Sequence, residues 1–360
     1  MAKRGVKTAG RRARKKSGAA RIRREPAWTR LSDEELLQTR FCDLRLTLRD
    51  SMTQRHLHAI QSDLQRRGIR FRPHVWLSEE WFSPDGVPGI AVPFYMAHPR
   101  LRQLERRIIG EVEGGNSNWL KRILRHEVGH ALDTTYRLRR RKGWRRTFGK
   151  ASRHYPTVYQ PRPASRAFVL HLGHWYAQSH PTEDFAETFA VWMQPKQRWR
   201  REYQGWPALR KLEYVDALLD QVRHGPPVVR NRDLIEPLSE NTRTLAEHYR
   251  RKRARYEFDS PGAYDLRLKR VFGQRRKRRR AMLASTFLRQ VRPQLERMLM
   301  RRSRLYPYLV HHVLRTAIKR CRELNLVLDT SKRDAKRAVL GVLERILIDI
   351  LRRDRERYTL

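Results

Sequence analysis

The sequence predicts a mainly α-helical chain with a small β-sheet, an α+β protein whose last quarter is a basic helical bundle. Three observations carry this. Apolar residues recur at helical spacing through most of the 360 residues. Two short stretches, around 69–76 and 89–96, break that period with strand-like runs. Beyond residue 266 three apolar stripes follow one another among basic residues.

The elements follow in order. Residues 1–25 are small and basic without an aromatic, and predict a disordered arm. Ser32 with Glu35 three positions on is a capping box that opens a helix, which Leu36, Leu37, Phe41, Leu44 and Leu48 continue. A second helix spans about Gln54 to Arg67 and stops at Gly68. Ile69 to Trp76 predicts a strand, Ser83-Pro84-Asp85-Gly86 a turn, and Gly89 to Met96 a second strand that Pro93 places at an edge. A short helix covers Leu101 to Ile109. Gly114-Gly115 breaks the chain, and Ser117 or Asn118 caps a helix from Trp119 to about Leu138. Residues 139–165 predict a long basic loop. A helix from Pro181 to Met193 begins on a proline suited to a first turn, and another covers Ala208–Val222 before Pro226-Pro227. A helical piece lies at 241–255, and Ser260-Pro261-Gly262 is a breaker. The stripes led by Leu283, Val310 and Val339 then make the bundle, after the basic run 275–280. These signals divide the chain into an arm (1–25), a first domain (26–227), a connecting segment (228–265) and a basic helical domain (266–360).

Composition narrows the function. The net charge is +44. Residues 1–24 carry eleven basic and no acidic residues, and residues 266–360 carry 28 basic and eight acidic ones. Such ends fit nucleic acid or another anionic surface; an arginine bias throughout the chain explains them equally well. No apolar run is long enough for a membrane span, and no apolar core follows the N-terminal charges as a secretory signal requires. Two distant cysteines, Cys42 and Cys321, give neither a disulfide framework nor a cysteine-based metal finger. The expected setting is the cytoplasm, with association with the nucleoid through the basic ends.

The chemistry lies in the less basic middle. His126-Glu127-Val128-Gly129-His130 is an HExxH. Imidazoles four apart share a helix face and can bind one cation, and the intervening Glu127 can reach a water on it as general base. A third ligand is needed. Tyr136 stands where the metzincin pattern requires a histidine. The helix at 181–193 instead offers Glu183 and Glu187, four apart on one face. One can bind the metal while the other accepts an N–H from a ligand histidine; the two roles can be exchanged. Asp133, one turn past His130, can orient a ligand or cap the helix. His171, His174 and His180 form a local cluster; any could replace a Glu as ligand, and a subsite or surface position is the alternative for each.

Together the two motifs, His126 to Asp133 (HEVGHALD) and Glu183 to Phe189 (EDFAETF), resemble the gluzincins. The likeness is to the lethal-factor-like zinc peptidases and to bacterial chains described as zinc-binding metallopeptidases. It covers roughly residues 117–193. It implies a zincin-like catalytic domain that hydrolyses peptide bonds of a protein or peptide substrate. It also implies zinc held by His126, His130 and Glu183, with Glu187 behind them and Glu127 as general base. The same pattern implies that Tyr176, seven residues before Glu183, hydrogen-bonds the oxyanion; a packed aromatic is the alternative. In zinc peptidases an exposed edge strand above the metal helix commonly pairs with substrate, a role the 89–96 strand can take, unless it is an ordinary hairpin strand. A protein bound to nucleic acid through residues 1–25 and 266–360, its metal site structural or its protease tethered there, is the competing reading.

Overall fold

The computed structural model describes residues 25–357, apart from 110, 157–161, 163, 164, 174, 196, 197, 255–260, 275–280 and 304–306. The arm, the basic run 275–280 and His174 therefore fall outside the described residues. The architecture is mainly helical with two small two-stranded sheets. The helices are α1 (Asp33–Gln38), α2 (Met52–Arg66), α3 (Pro99–Ile109), α4 (Ser117–Tyr136), α5 (Lys142–Phe148), α6 (Pro181–Trp192), α7 (Trp199–Glu202), α8 (Ala208–Val222) and α9 (Leu245–Ala254). Then come α10 (Pro261–Lys269), α11 (Ala284–Ser303), α12 (Pro307–Glu323) and α13 (Lys332–Arg357). Strands β1 (His74–Ser78) and β2 (Gly89–Pro93) form one sheet, and β3 (Gly273–Gln274) and β4 (Leu326–Val327) the other. No described helix is long and apolar enough to cross a membrane.

Buried apolar side chains fall into two main clusters. One runs from Trp28 to Tyr249 and takes in α4, α6 and α8. The other runs from Tyr264 to Leu347 and is built from α10 to α13. In that second cluster the three stripes read from sequence are joined by a fourth helix. Pro261 opens α10 rather than breaking the chain, because a proline in the first helical turn sacrifices no intrahelical N–H.

Several boundaries differ from expectation for local reasons. The capping box forms: Ser32 N–H donates to Glu35 Oε2 (2.9 Å) and Glu35 N–H to Ser32 Oγ (3.2 Å). Yet α1 ends at Gln38, because the chain turns extended at Thr39 to bridge Thr244 through Arg40. Phe41 and Leu44 still reach the core, but from a 3₁₀ turn and its flank. Asn116, not Ser117 or Asn118, caps α4, accepting from Trp119 N–H at 2.9 Å. Part of the stretch expected as a loop at 139–165 is α5. Trp144 and Phe148, one turn apart, are buried there and pack on Phe185 of α6 with ring centroids 5.9 and 5.5 Å away. Burying two such rings contributes about 3–6 kcal/mol, enough to fix a seven-residue helix too short to persist alone.

The small sheet overturns the edge-strand expectation. β1 and β2 run parallel, in register from His74–Gly89 to Ser78–Pro93, so they are not a hairpin. All five residues of β2 are buried. Its other side is bridged by Phe82, whose carbonyl accepts from Ala91 N–H at 2.8 Å. The crossover segment between the strands thus folds back onto β2 and fills part of the edge that an extended peptide would use.

Candidate metal centre

Helices α4 and α6 approach closely, and small residues allow it. A side chain on Gly129 would place its Cβ 3.0 Å from the Phe189 ring and 3.1 Å from the Cα of Ala186. Every residue of α6 is buried, including Glu183, Asp184 and Glu187. His180 caps this helix, its side chain accepting from Thr182 N–H at 3.2 Å.

At that contact three donor atoms converge. His126 Nε2 lies 3.0 Å from Glu183 Oε2, His130 Nε2 lies 3.1 Å from the same oxygen, and the two Nε2 atoms are 3.1 Å apart. A tetrahedral ion with bonds of about 2.0–2.1 Å separates its ligand atoms by about 3.3 Å. Two imidazole nitrogens and one carboxylate oxygen in this triangle fit such an ion in size and in donor type, and the three residues form a cluster able to hold a metal.

A second carboxylate, Glu187, stands behind the triangle. His126 Nδ1 donates to Glu187 Oε1 at 2.9 Å, while Glu187 Oε2 accepts from Leu172 N–H at 2.8 Å. Both oxygens of Glu187 are thereby engaged away from the triangle, and His126 is turned so that Nε2 faces it. Asp184, between the two glutamates, points the other way to Lys211 Nζ at 2.6 Å.

Electrostatics tie the cluster together. Burial opposes charge on both Glu183 and His126. On Glu183 the neighbouring His130 and His126 outweigh it and hold the carboxyl well below its usual range. On His126 the two carboxylates outweigh it and hold the imidazole well above its usual value. Such a charge arrangement is ready for a cation to take the place of protons.

Glu127 is on the same helix but outside the triangle. Its Oε2 accepts from Ser83 Oγ at 3.0 Å, which anchors the carboxylate to the segment after β1. Tyr176 opens a 3₁₀ turn, its ring 5.6 Å from that of His126.

Three expected residues sit elsewhere. Asp133 hydrogen-bonds neither His126 nor His130: its oxygens accept from Arg139 N–H (2.8 Å) and Arg139 Nε (2.6 Å), tying the end of α4 to the chain that follows it. Its position one turn past His130 points its buried carboxylate to the helix terminus instead. His171 and His180 are structural. His171 Nε2 bonds the Arg122 carbonyl at 2.9 Å, and burial pushes its pKa down to about 4. His180 bonds the Arg153 carbonyl at 2.7 Å through Nε2.

Sequence reasoning missed Tyr155 and Ser83. Tyr155 Oη donates to Glu183 Oε1 at 2.8 Å, touches the Thr182 hydroxyl, and stacks on His180 at 3.7 Å. Burial, and then the adjacent Glu183 charge, push its pKa up, so it remains a donor. Neither residue has a fixed spacing from HExxH, and both lie in segments without periodicity.

No curated protein and no solved structure matches this chain. The similarity that does appear is confined to one part of it: residues 120–199, which contain His126, Glu127, His130, Glu183 and Glu187, match the model of the family described as "Putative zinc-binding metallo-peptidase".

Proposed function

We propose that this chain is a zinc-dependent metallopeptidase of gluzincin type. The observation that carries the reading is the convergence of His126 Nε2, His130 Nε2 and Glu183 Oε2 within 3.1 Å, with Glu127 on the same helix. His126, His130 and Glu183 hold the ion, and Glu187 keeps the His126 ring in the tautomer that presents Nε2. Tyr155 restrains Glu183 through its other oxygen. Zinc in that position supplies a Lewis acid that acidifies water and polarises a peptide carbonyl. Glu127 takes the proton of the attacking water and delivers it to the leaving amine. Tyr176 donates a hydrogen bond to the oxyanion as negative charge develops. The protein's own share is therefore orientation and proton transfer, carried out at a buried helix contact that excludes bulk water.

The test is Glu127→Gln. We expect full metal content by elemental analysis and at least a thousandfold loss of peptide hydrolysis, on the order of 4 kcal/mol of transition-state stabilisation. A variant that cleaves at the unmodified rate removes Glu127 from the mechanism.

A second reading concerns the other end of the chain. The excess of 28 basic over eight acidic residues at 266–360, on helices with their own apolar cluster, favours binding to nucleic acid there. Comparison of the full chain with one ending at residue 265 tests it. Loss of salt-dependent duplex-DNA binding in the shorter chain is the expected result; equal binding by both chains moves the contact elsewhere.

A further inference from the structure

A cleft of about 670 Å³ is formed by the chain that follows α4, by residues 150–152 and by Asp85. Its wall carries Arg139, Arg140, Arg141, Lys142, Arg145 and Lys150, against a single acid, Asp85. Arg139 is committed to Asp133 and Asp85. Arg141 bonds the neutral amide of Gln221. Among the described residues, none of the other five cations makes an ion pair. Five like charges gathered in a concave surface repel one another, and an anionic ligand relieves that cost.

The cleft is joined to the metal centre by three separate stretches of chain. Asp85 lies two residues after Ser83, which bonds Glu127. Arg139 is held by Asp133, three residues after His130. Ser152, on the cleft wall, lies three residues before Tyr155, which bonds Glu183. Each segment leads, within two or three residues of chain, from the basic wall to a different member of the site.

The geometry points to this cleft as a subsite for acidic side chains of a peptide substrate, next to the scissile bond; this rests on the peptidase reading for what occupies the neighbouring centre. Arginine forks match carboxylates in pairs. The volume falls within the roughly 300–1,000 Å³ of small-ligand pockets, which admits a few side chains and not a duplex. Among the described residues no aromatic lines the wall, so they offer no platform for stacking bases.

Binding can be read without turnover. Full-length protein carrying Glu127→Gln is titrated, by fluorescence anisotropy, into an eight-residue Glu–Gly peptide, its Gln–Gly counterpart and an eight-nucleotide thymidine oligonucleotide. Adding Arg140→Glu with Arg145→Glu should weaken the Glu–Gly peptide by about tenfold or more. Arg70→Glu with Arg106→Glu makes the same change of net charge on exposed positions outside the cleft and outside residues 266–360, and should alter it less than about twofold. The neutral pair Lys142→Gln with Lys150→Gln should weaken it in the same direction, and guards against a reversal that unfolds the protein. Equal losses at the two sites, a Gln–Gly peptide that binds as tightly, or a loss seen only with the oligonucleotide overturns the proposal. Cleavage sites in a mixed peptide pool separate it from the peptidase reading. Acid-selective binding without hydrolysis leaves the cleft standing and removes the peptidase. Hydrolysis without acidic preference, with binding indifferent to Arg140 and Arg145, does the reverse.

Discussion

The α4–α6 contact and the α10–α13 bundle bury their residues by opposite rules. Between His126 and Thr188, eleven of the described polar or charged residues are buried, among them Glu127, Asp133, Glu183, Asp184 and Glu187. After residue 250 the only described buried polar residue is Ser285. Burying a carboxylate without a partner costs several kcal/mol, and a fold does not accumulate such costs for stability alone. Each charged member at α4–α6 has an identified counterpart: Asp133 has Arg139, Asp184 has Lys211, and Glu187 has His126 and a backbone N–H. The triangle of His126, His130 and Glu183 has mainly itself, with Tyr155 on the outer oxygen. The bundle, by contrast, is an assembly of apolar stripes. The difference teaches that the two regions should fail differently when a buried side chain is removed.

The largest contrast should come from one truncation in each. Glu183→Ala should reduce metal content to near zero and affinity by at least about a thousandfold, since it removes one of the three proposed ligands. Leu314→Ala, at a fully buried position of α12, should cost about 2–5 kcal/mol of stability and leave metal stoichiometry unchanged. Elemental analysis and thermal melting of both variants make the comparison. Undiminished zinc in Glu183→Ala would move the third ligand elsewhere.

The next effect is a pH dependence confined to the polar region. Burial lowers the His171 pKa to about 4, so the folded state resists its protonation while the unfolded chain accepts a proton near 6.5. Stability is therefore whole above pH 6.5 and falls as pH drops toward 4, by up to about 3 kcal/mol. His171→Gln keeps a donor for the Arg122 carbonyl but cannot titrate there. Denaturant melts at pH 7 and pH 4 should show a smaller difference in this variant; an unchanged difference assigns the acid sensitivity to other groups.

The two regions were also unequally legible. The bundle could be read from period alone, because Val310, Val313, Leu314 and Ala317 are buried for their hydrophobicity and any apolar set at that spacing gives the same signal. The centre was legible where two helices supply residues at fixed spacing: His126, His130, Glu183 and Glu187 meet as their motif spacing suggests. It was not legible where position depends on non-local packing. Tyr155 reaches Glu183 only because its ring lies on His180. Pro93, which lacks an N–H, signals an edge strand, a local signal that cannot show Phe82 folding back onto β2. Asp133 carried the right spacing for a ligand's neighbour, but the helix end beyond it brought Arg139 within reach.

A smaller effect tests whether the carboxylate behind the triangle acts through orientation. Glu187→Gln retains the size of the side chain and an acceptor oxygen but removes the charge facing His126 Nδ1. Substitutions at such positions typically reduce metal affinity about 10–100-fold. Competition with a zinc chelator reads this directly, and Glu187→Ala should be weaker still because Leu172 N–H also loses its acceptor. Equal affinity in Glu187→Gln and the unmodified protein makes the Nδ1 contact a packing feature only.

The smallest expected change is at Ser83, and it sharpens the comparison because it touches the base without touching the ligand triangle. The Ser83 hydroxyl, 3.0 Å from Glu127 Oε2, also lies 3.3 Å from the Glu127 main-chain oxygen, so it holds the side chain against its own helix. A hydrogen bond to a charged group contributes about 1.5–3 kcal/mol when fully realised, and less where the donor is partly exposed, as Ser83 is. Ser83→Ala should leave metal content and KM unchanged and lower kcat by about three- to tenfold, because it frees Glu127 to leave its proton-accepting position. A rise in kcat has a different meaning: the hydroxyl then occupies the oxygen that water must reach, and the segment folded over β2 restrains the base instead of aiming it. The sign of that one rate change distinguishes a positioning contact from an obstructing one.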